Sequence, residues 1–224
     1  MRALSFLCAA CAALCAAPAA ASEEDFNVWT GQFIFFNLDE DKKWYARLEA
    51  QERFTDDADR LGQLLLRSFV GYRISDAVNV GGGYAYILTD PVGPVEVNEH
   101  RIYQELNVTL FDNGNGVRLT SRNRLEQRFY EESDATGWRY RNLVQFIAPI
   151  SEHNSIVLYT EPFIGLNDVP FNRDGVANWR NFAGVSFPIS SEFSFTPGYL
   201  NQYVVRDGED RIDHIVNLAV FGRF

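Results

Sequence analysis

Apolar and polar residues alternate along almost the whole chain after residue 26. In the segment WYARLEAQ, Trp44 and Leu48 share one face while Arg47 and Glu49 share the other. A helix would distribute such a series around its circumference, whereas a pleated strand keeps each set on its own side. Comparable alternation recurs in 62–73, 78–88, 101–110, 138–146 and 213–224. The pattern therefore predicts an all-β protein.

The two segments with the most helical composition also alternate with period two. RLEAQERF at 47–54 and RLEQRF at 124–129 are rich in good helix formers, and Glu49 and Arg53 have the spacing of a helix-surface ion pair. Read with period two, their charged residues lie on one face and their leucines and phenylalanines on the other. Only Glu52 departs from this division. We interpret both segments as strands.

The alternation defines eleven candidate strands: 27–37, 43–54, 62–74, 77–88, 99–111, 117–129, 137–148, 155–167, 177–187, 192–204 and 212–224. Each is about long enough to cross a bilayer when tilted. Short connections such as 75–77 and 188–192 alternate with longer, more acidic ones such as 89–99 and 167–176. This arrangement is typical of an outer-membrane barrel.

We therefore predict an antiparallel up-and-down transmembrane β-barrel. Because single-chain bacterial barrels have even strand numbers, we favour twelve strands, with one further strand near the N-terminus. The alternative is a barrel of ten strands from which 27–37 is excluded. With an even number of strands, both ends of the barrel chain would lie together on the periplasmic side.

The first 21 residues have the layout of a secretory signal peptide, with Arg2, an alanine-rich apolar run and an A-x-A cleavage site ending at Ala21. We expect cleavage there and export to the bacterial outer membrane as a single barrel domain, 22–224. All three cysteines lie before the cleavage site, so the exported chain would contain no thiol. The formal net charge of −10 argues against a nucleic-acid partner.

The polar faces of the predicted strands carry many charged residues. We predict that these line the lumen: Arg47, Glu49, Arg67, Arg101, Glu105, Arg118, Arg122, Arg124, Glu126, Arg128, Arg139, Arg141, Glu161 and Arg180.

Three functions fit such a lumen. An excess of arginine would favour anions, so the leading hypothesis is a narrow channel for small anionic solutes. Small barrels usually fill their interiors, and paired guanidinium and carboxylate groups would do so. The alternative is therefore a closed structural or surface-interaction barrel with a salt-bridged lumen. The third, less favoured, is an enzyme acting on envelope lipid or peptide.

The apolar faces carry aromatic residues near strand ends, as in the interfacial girdles of membrane barrels. We predict that these rings point outward to the membrane lipids: Trp29, Trp44, Tyr72, Trp138, Tyr140, Trp179, Tyr199 and Tyr203. Ser121 and Asn123 would also face lipid, where unpaired polar groups are costly. Their position suggests either a bulge or contact with another protein.

Catalytic and metal-binding patterns are weak. His100, His153 and His214 lie in different segments, and no nucleophile, zinc or phosphate-loop motif is present. The acidic loop clusters, such as Asp56 to Asp59, lack a defined calcium-loop pattern, so we interpret them as solvated surface. We predict no catalytic residue, metal or cofactor.

Several blocks resemble a known family. They are RLEAQERF, LLLRSFVGY, GGGYAYILTD, EHRIYQELN, RLTSRNRLEQRF, WRYRNLVQF, EPFIGLND, NFAGVSF and GYLNQYV. Their order resembles the domain-of-unknown-function family 2490 of proteobacterial exported β-barrel proteins, which implies an outer-membrane barrel and no particular activity. The ending NLAVFGRF resembles the signal read by the barrel-assembly machinery, with Asn217 and Phe224 as its characteristic residues. It departs from that signal at Gly222.

Overall fold

The computed structural model describes residues 23–93 and 96–224 and folds them into strands alone. The predicted signal peptide and its three cysteines lie outside these ranges. The strands are β1 (Glu23–Asn37), β2 (Trp44–Thr55), β3 (Arg60–Arg73), β4 (Val78–Thr89), β5 (Val97–Asp112), β6 (Arg118–Tyr130), β7 (Thr136–Pro149), β8 (Ser155–Gly165), β9 (Gly175–Pro188), β10 (Phe193–Val204) and β11 (Arg211–Arg223). No helix in the described ranges is long and apolar enough to span a membrane.

The eleven strands close into one barrel in chain order, which confirms the all-β barrel. Consecutive strands pair antiparallel, but β1 and β11 pair in parallel, in register from Glu23 with Arg211 to Phe35 with Arg223. The prediction of twelve strands, with ten as the alternative, was wrong. The even-number expectation assumes an antiparallel closing pair, whereas a parallel ladder also satisfies the backbone donors and acceptors of both strands.

The odd count also places the two ends of the described chain at opposite ends of the barrel. Glu23 lies at the loop end, which carries the connections 56–59, 90–96, 131–135, 166–174 and 205–210. Phe224 lies at the turn end, which carries 38–43, 74–77, 113–117, 150–154 and 189–192. The expectation that both ends of the chain meet on one side was therefore also wrong.

Alternate residues of each strand point into and out of the barrel. On β2, Arg47 and Glu49 are buried while Trp44 and Leu48 are exposed. Paired residues of neighbouring strands share a face, so the ionic positions of β2 lie beside those of β3, as in the pair of Glu49 with Arg67. The interior is therefore polar over much of its surface and the exterior largely apolar.

The prediction that the Trp29 ring points outward was wrong. The register pairs it with Arg53 on β2 and Asn217 on β11, both on the inner face, and its side chain is buried. The aromatic pattern alone suggested an outward ring, but the pairing partners determine the face. Trp44, Trp138, Trp179 and Tyr199 are exposed on the outside.

Ser121 and Asn123 do face outward, and they are hydrogen-bonded to each other and to β7. Asn142 donates to Ser121 Oγ and to Asn123 Oδ1, both at 2.9 Å, and Tyr140 Oη donates to Asn123 Oδ1 at 2.5 Å. β6 passes through both positions without a register shift. These polar groups satisfy one another, so neither a bulge nor a protein partner is needed to explain them.

Two apolar clusters pack inside the barrel beside the ionic residues. One contains Tyr45, Leu65, Phe69, Ala85, Ile87 and Tyr103, and the other contains Trp29, Val157, Phe182, Leu200 and Ile215. Gly83 makes room for the first, because a Cβ atom there would overlap the Tyr103 ring. A Cβ atom at Gly81 would likewise overlap Phe69, so Gly81 and Gly83 serve close packing inside the barrel.

The parallel closure predicts which residues can be cross-linked. Cysteines replacing Val28 and Val216, which are directly paired, should form a disulfide under mild oxidation, measured by gel mobility after refolding. The control pair replaces Val28 and Val220; the second residue lies roughly 13 Å further along β11, beyond disulfide reach. Cross-linking in the control pair, or none in the first pair, would contradict the closure.

Candidate functional site

The centre of the interior is organised around Glu105 on β5. Its carboxylate accepts hydrogen bonds from Arg47 on β2, two at 3.2 Å, and from Arg124 on β6 at 2.6 and 2.9 Å. Arg124 also lies over the Tyr103 ring, with its guanidinium carbon 4.4 Å from the ring centre. Because β3 and β4 lie between β2 and β5, the contact from Arg47 bridges non-adjacent strands.

The ion pairs continue from Arg124 along β6 and across two more strands, β7 and β8. Arg124 lies 3.5 Å from Glu126, which accepts from Arg141 at 2.9 Å. Arg141 in turn donates to Glu161 at 2.8 Å, and Arg122 donates to the same carboxylate at 2.9 Å. The ionic chain, as we call it, consists of Arg47, Glu105, Arg124, Glu126, Arg141, Glu161 and Arg122. Arg139 joins it by donating to Glu126 at 2.5 Å.

Two further groups of ion pairs flank the chain. Glu99 accepts from Arg101 at 2.6 Å and from Arg128 at 2.6 Å. Glu49 pairs with Arg67 on the neighbouring strand. The shared donors and acceptors satisfy most of the charged atoms, as buried ion pairs require.

Solvent barely reaches the centre of the ionic chain. Arg124 and Glu126 are each 1% exposed and Glu105 is 3% exposed. A water-filled pore at this level would leave its lining side chains accessible, so the described side chains fill the interior here. The arrangement cross-links the barrel wall through charge-assisted hydrogen bonds, which are the strong ones.

Two of the predicted lumen residues differ from the rest. Arg118 is exposed at the turn end and pairs with Asp112 at 2.8 Å, so it takes no part in the buried chain. Arg180 lies inside, but its Nε donates to Gln202 at 2.7 Å instead of to a carboxylate. Its registered partner, Glu161, is turned toward Arg141 and Arg122.

Several inner residues were absent from the prediction: Arg53, Glu99, Gln202, Arg211 and Asp213. Arg53 lies on the same face of β2 as Glu49, and Glu99 lies on the same face of β5 as Arg101. Period-two alternation extended to the strand ends would therefore have predicted that both point inward. Trp29 is the exception, because only the strand register reveals its direction.

A cavity of about 280 Å³ lies in the barrel toward the loop end, beside Thr55 and Gly62. Its lining includes Trp29, Arg53 and Arg180. The guanidinium carbon of Arg53 lies 3.9 Å from the centre of the Trp29 ring, and that of Arg180 lies 4.8 Å from it. Both cations therefore share one indole, an interaction that is strongest where water is excluded.

The connection 166–174 folds inward over the loop end. Arg128 donates to the Phe171 carbonyl at 3.1 Å and to Asn172 Oδ1 at 3.3 Å, and Asn172 is buried. The Phe171 ring lies 4.2 Å from that of Tyr130. This longest of the loop-end connections therefore packs against Arg128 and Tyr130 of β6.

The three histidines remain apart. His100 contacts Tyr84 Oη at 2.5 Å and Glu131 at 3.3 Å on the outer face, and His214 contacts Tyr199 Oη at 2.6 Å elsewhere on it. His153 lies in the turn-end connection 150–154. No group of three or more His, Cys, Asp or Glu in the described ranges is arranged to hold a metal ion.

The two residues of the predicted assembly signal lie on the last strand and just after it. Asn217 is half-buried and pairs with Trp29 on β1 and Gly198 on β10. Phe224 is exposed at the turn end, where its backbone N–H donates to the Phe35 carbonyl at 2.9 Å and its ring packs edge-on against Phe193.

Comparison with known proteins identifies the family. The family model described as Protein of unknown function (DUF2490) matches residues 26–213, from β1 into β11. An uncharacterized protein of Methylorubrum extorquens is 32% identical over 206 residues, covering 90% of this chain and 89% of that protein. No solved structure matches the chain. The chain therefore belongs to the DUF2490 family of proteins of unknown function.

Proposed function

We propose that this protein is an outer-membrane β-barrel whose lumen is closed by paired charges and which supports the envelope or its surface contacts. The observation that carries the proposal is the ionic chain, in which Glu105, Arg124 and Glu126 are almost completely buried. A conducting path would have to separate these charges or pass between them.

The exterior supports a membrane location. Large apolar side chains are exposed on many strands, including Leu48, Leu66, Ile102 and Leu106. A soluble protein rarely exposes a continuous apolar surface of this kind, whereas a membrane barrel directs it at lipid. We assign the outer-membrane lipids as its surroundings and the barrel-assembly machinery as its partner in biogenesis, with export by a cleaved signal peptide.

A narrow channel for small anionic solutes is the second candidate. It is favoured by the surplus of arginine in the cavity near the loop end, where Arg53 and Arg180 have no carboxylate partner among the described residues. Conduction would require the ionic chain to open, because its buried side chains cross the barrel. The closed barrel therefore fits the geometry better.

Localisation and conductance together test the proposal. The full-length chain should fractionate with the outer membrane, and the protein purified from that fraction should give no discrete current steps in planar bilayers. A triple variant, Glu105→Ala with Arg124→Ala and Glu126→Ala, removes the central side chains and should give steps if it folds. Recovery in the soluble periplasmic fraction would contradict the location, and regular wild-type steps would favour the channel.

The ionic chain should also dominate stability. Glu105→Ala leaves Arg47 and Arg124 without their shared carboxylate, and breaking a buried pair in this way costs about 3–5 kcal/mol. The control Arg118→Ala breaks only the exposed pair with Asp112 and should cost less than about 1 kcal/mol. Urea unfolding in detergent micelles measures both changes. Equal losses of stability would contradict a structural role for the chain.

A further inference from the structure

We infer that the loop-end cavity contains a binding site for a small oxyanion, a carboxylate or phosphate, held by Arg53 and Arg180 beside Trp29. This goes beyond the proposed function and needs only the fold, because it depends on the cavity and not on whether the lumen conducts or lies in a membrane.

The first argument is charge. Eight arginines line the cavity, and six of them have a carboxylate within 4.0 Å. The two exceptions within the described ranges are Arg53 and Arg180. The lining carboxylates, Glu99 and Asp213, are engaged by other arginines. Two half-buried cations are thus left without a counter-ion, which is unfavourable unless an anion joins them.

The second argument is that the two guanidinium groups are held in place but incompletely hydrogen-bonded. Arg53 donates to Gln63 at 2.8 Å and to Gln51 at 3.0 Å, and its buried Nε has no hydrogen-bond partner. Arg180 donates one bond from Nε, to Gln202. Unused donors in a planar fork suit the paired oxygens of a carboxylate or phosphate.

The third argument is the shape of the space. A volume of about 280 Å³ is close to the lower end of ordinary ligand pockets. The Arg180 guanidinium packs against the Trp29 and Phe163 rings, whose centres lie 4.8 and 4.5 Å from its central carbon. The cations are therefore positioned before any anion arrives, which limits the entropy lost on binding.

Titration calorimetry of the folded protein in detergent tests the site, with inorganic phosphate and succinate as probes and chloride as the reference anion. Wild-type protein should bind at least one oxyanion saturably and more tightly than chloride. Arg53→Gln and Arg180→Gln should each weaken binding about tenfold or more, since each removes a charge-assisted contact. Arg118→Gln, at the exposed turn end, should leave binding unchanged.

Two further measurements guard against misfolded variants. Arg53→Lys keeps the positive charge, so the variant should fold. It lacks the planar set of guanidinium N–H donors, so it should bind the oxyanion more weakly than wild type. The wild-type tryptophan emission should change saturably with the bound oxyanion, and Trp29→Phe should remove that change. Absence of saturable binding to folded wild-type protein up to 50 mM of both probes, roughly the limit of millimolar-range affinity, would overturn the inference. An equal loss of binding in Arg118→Gln would also overturn it.

Discussion

The buried ion pairs centred on Glu105 are the constraint on which the rest of this barrel depends. Inside this barrel of eleven strands, long paired guanidinium and carboxylate groups lie beside two clusters of apolar side chains. Burial favours the pairing of these groups because an isolated charge in such surroundings is costly. The contacts from Arg47 to Glu105 and from Arg122 to Glu161 cross over intervening strands and so hold non-adjacent strands together.

The same need to pair charges explains why side chains fill the interior in one part of the barrel and leave a cavity in another. Where several guanidinium groups share a carboxylate, as around Glu126, the side chains exclude solvent. Toward the loop end, arginines outnumber carboxylates and a cavity remains beside Arg53 and Arg180. Aromatic faces then replace part of the missing counter-charge, with Trp29 contacting both cations. The solvent-excluded centre and the arginine-rich cavity are thus two consequences of one uneven charge distribution.

Period-two alternation was sufficient to predict a β-barrel, the positions of the eleven strand segments along the chain and many of the residues that point inward. It could not supply the closure, because strand number and the parallel pairing of β1 with β11 depend on register between segments that are distant in sequence. Trp29 shows the same limit: its ring suggested lipid, but its partners Arg53 and Asn217 place it inside. The ion-pair partners of Glu161 could not be predicted from the sequence either. Arg180 is its neighbour in the strand register, but Glu161 pairs with Arg141 instead.

The central claim is that side chains fill the lumen at the level of the ionic chain. Water permeability tests this most directly, because water is the smallest molecule that an open path would admit. Vesicles containing the folded barrel, mixed rapidly with a hyperosmotic solution and followed by light scattering, should shrink at the rate of empty vesicles. Faster shrinkage with the weak temperature dependence of flow through a pore would contradict the closed lumen.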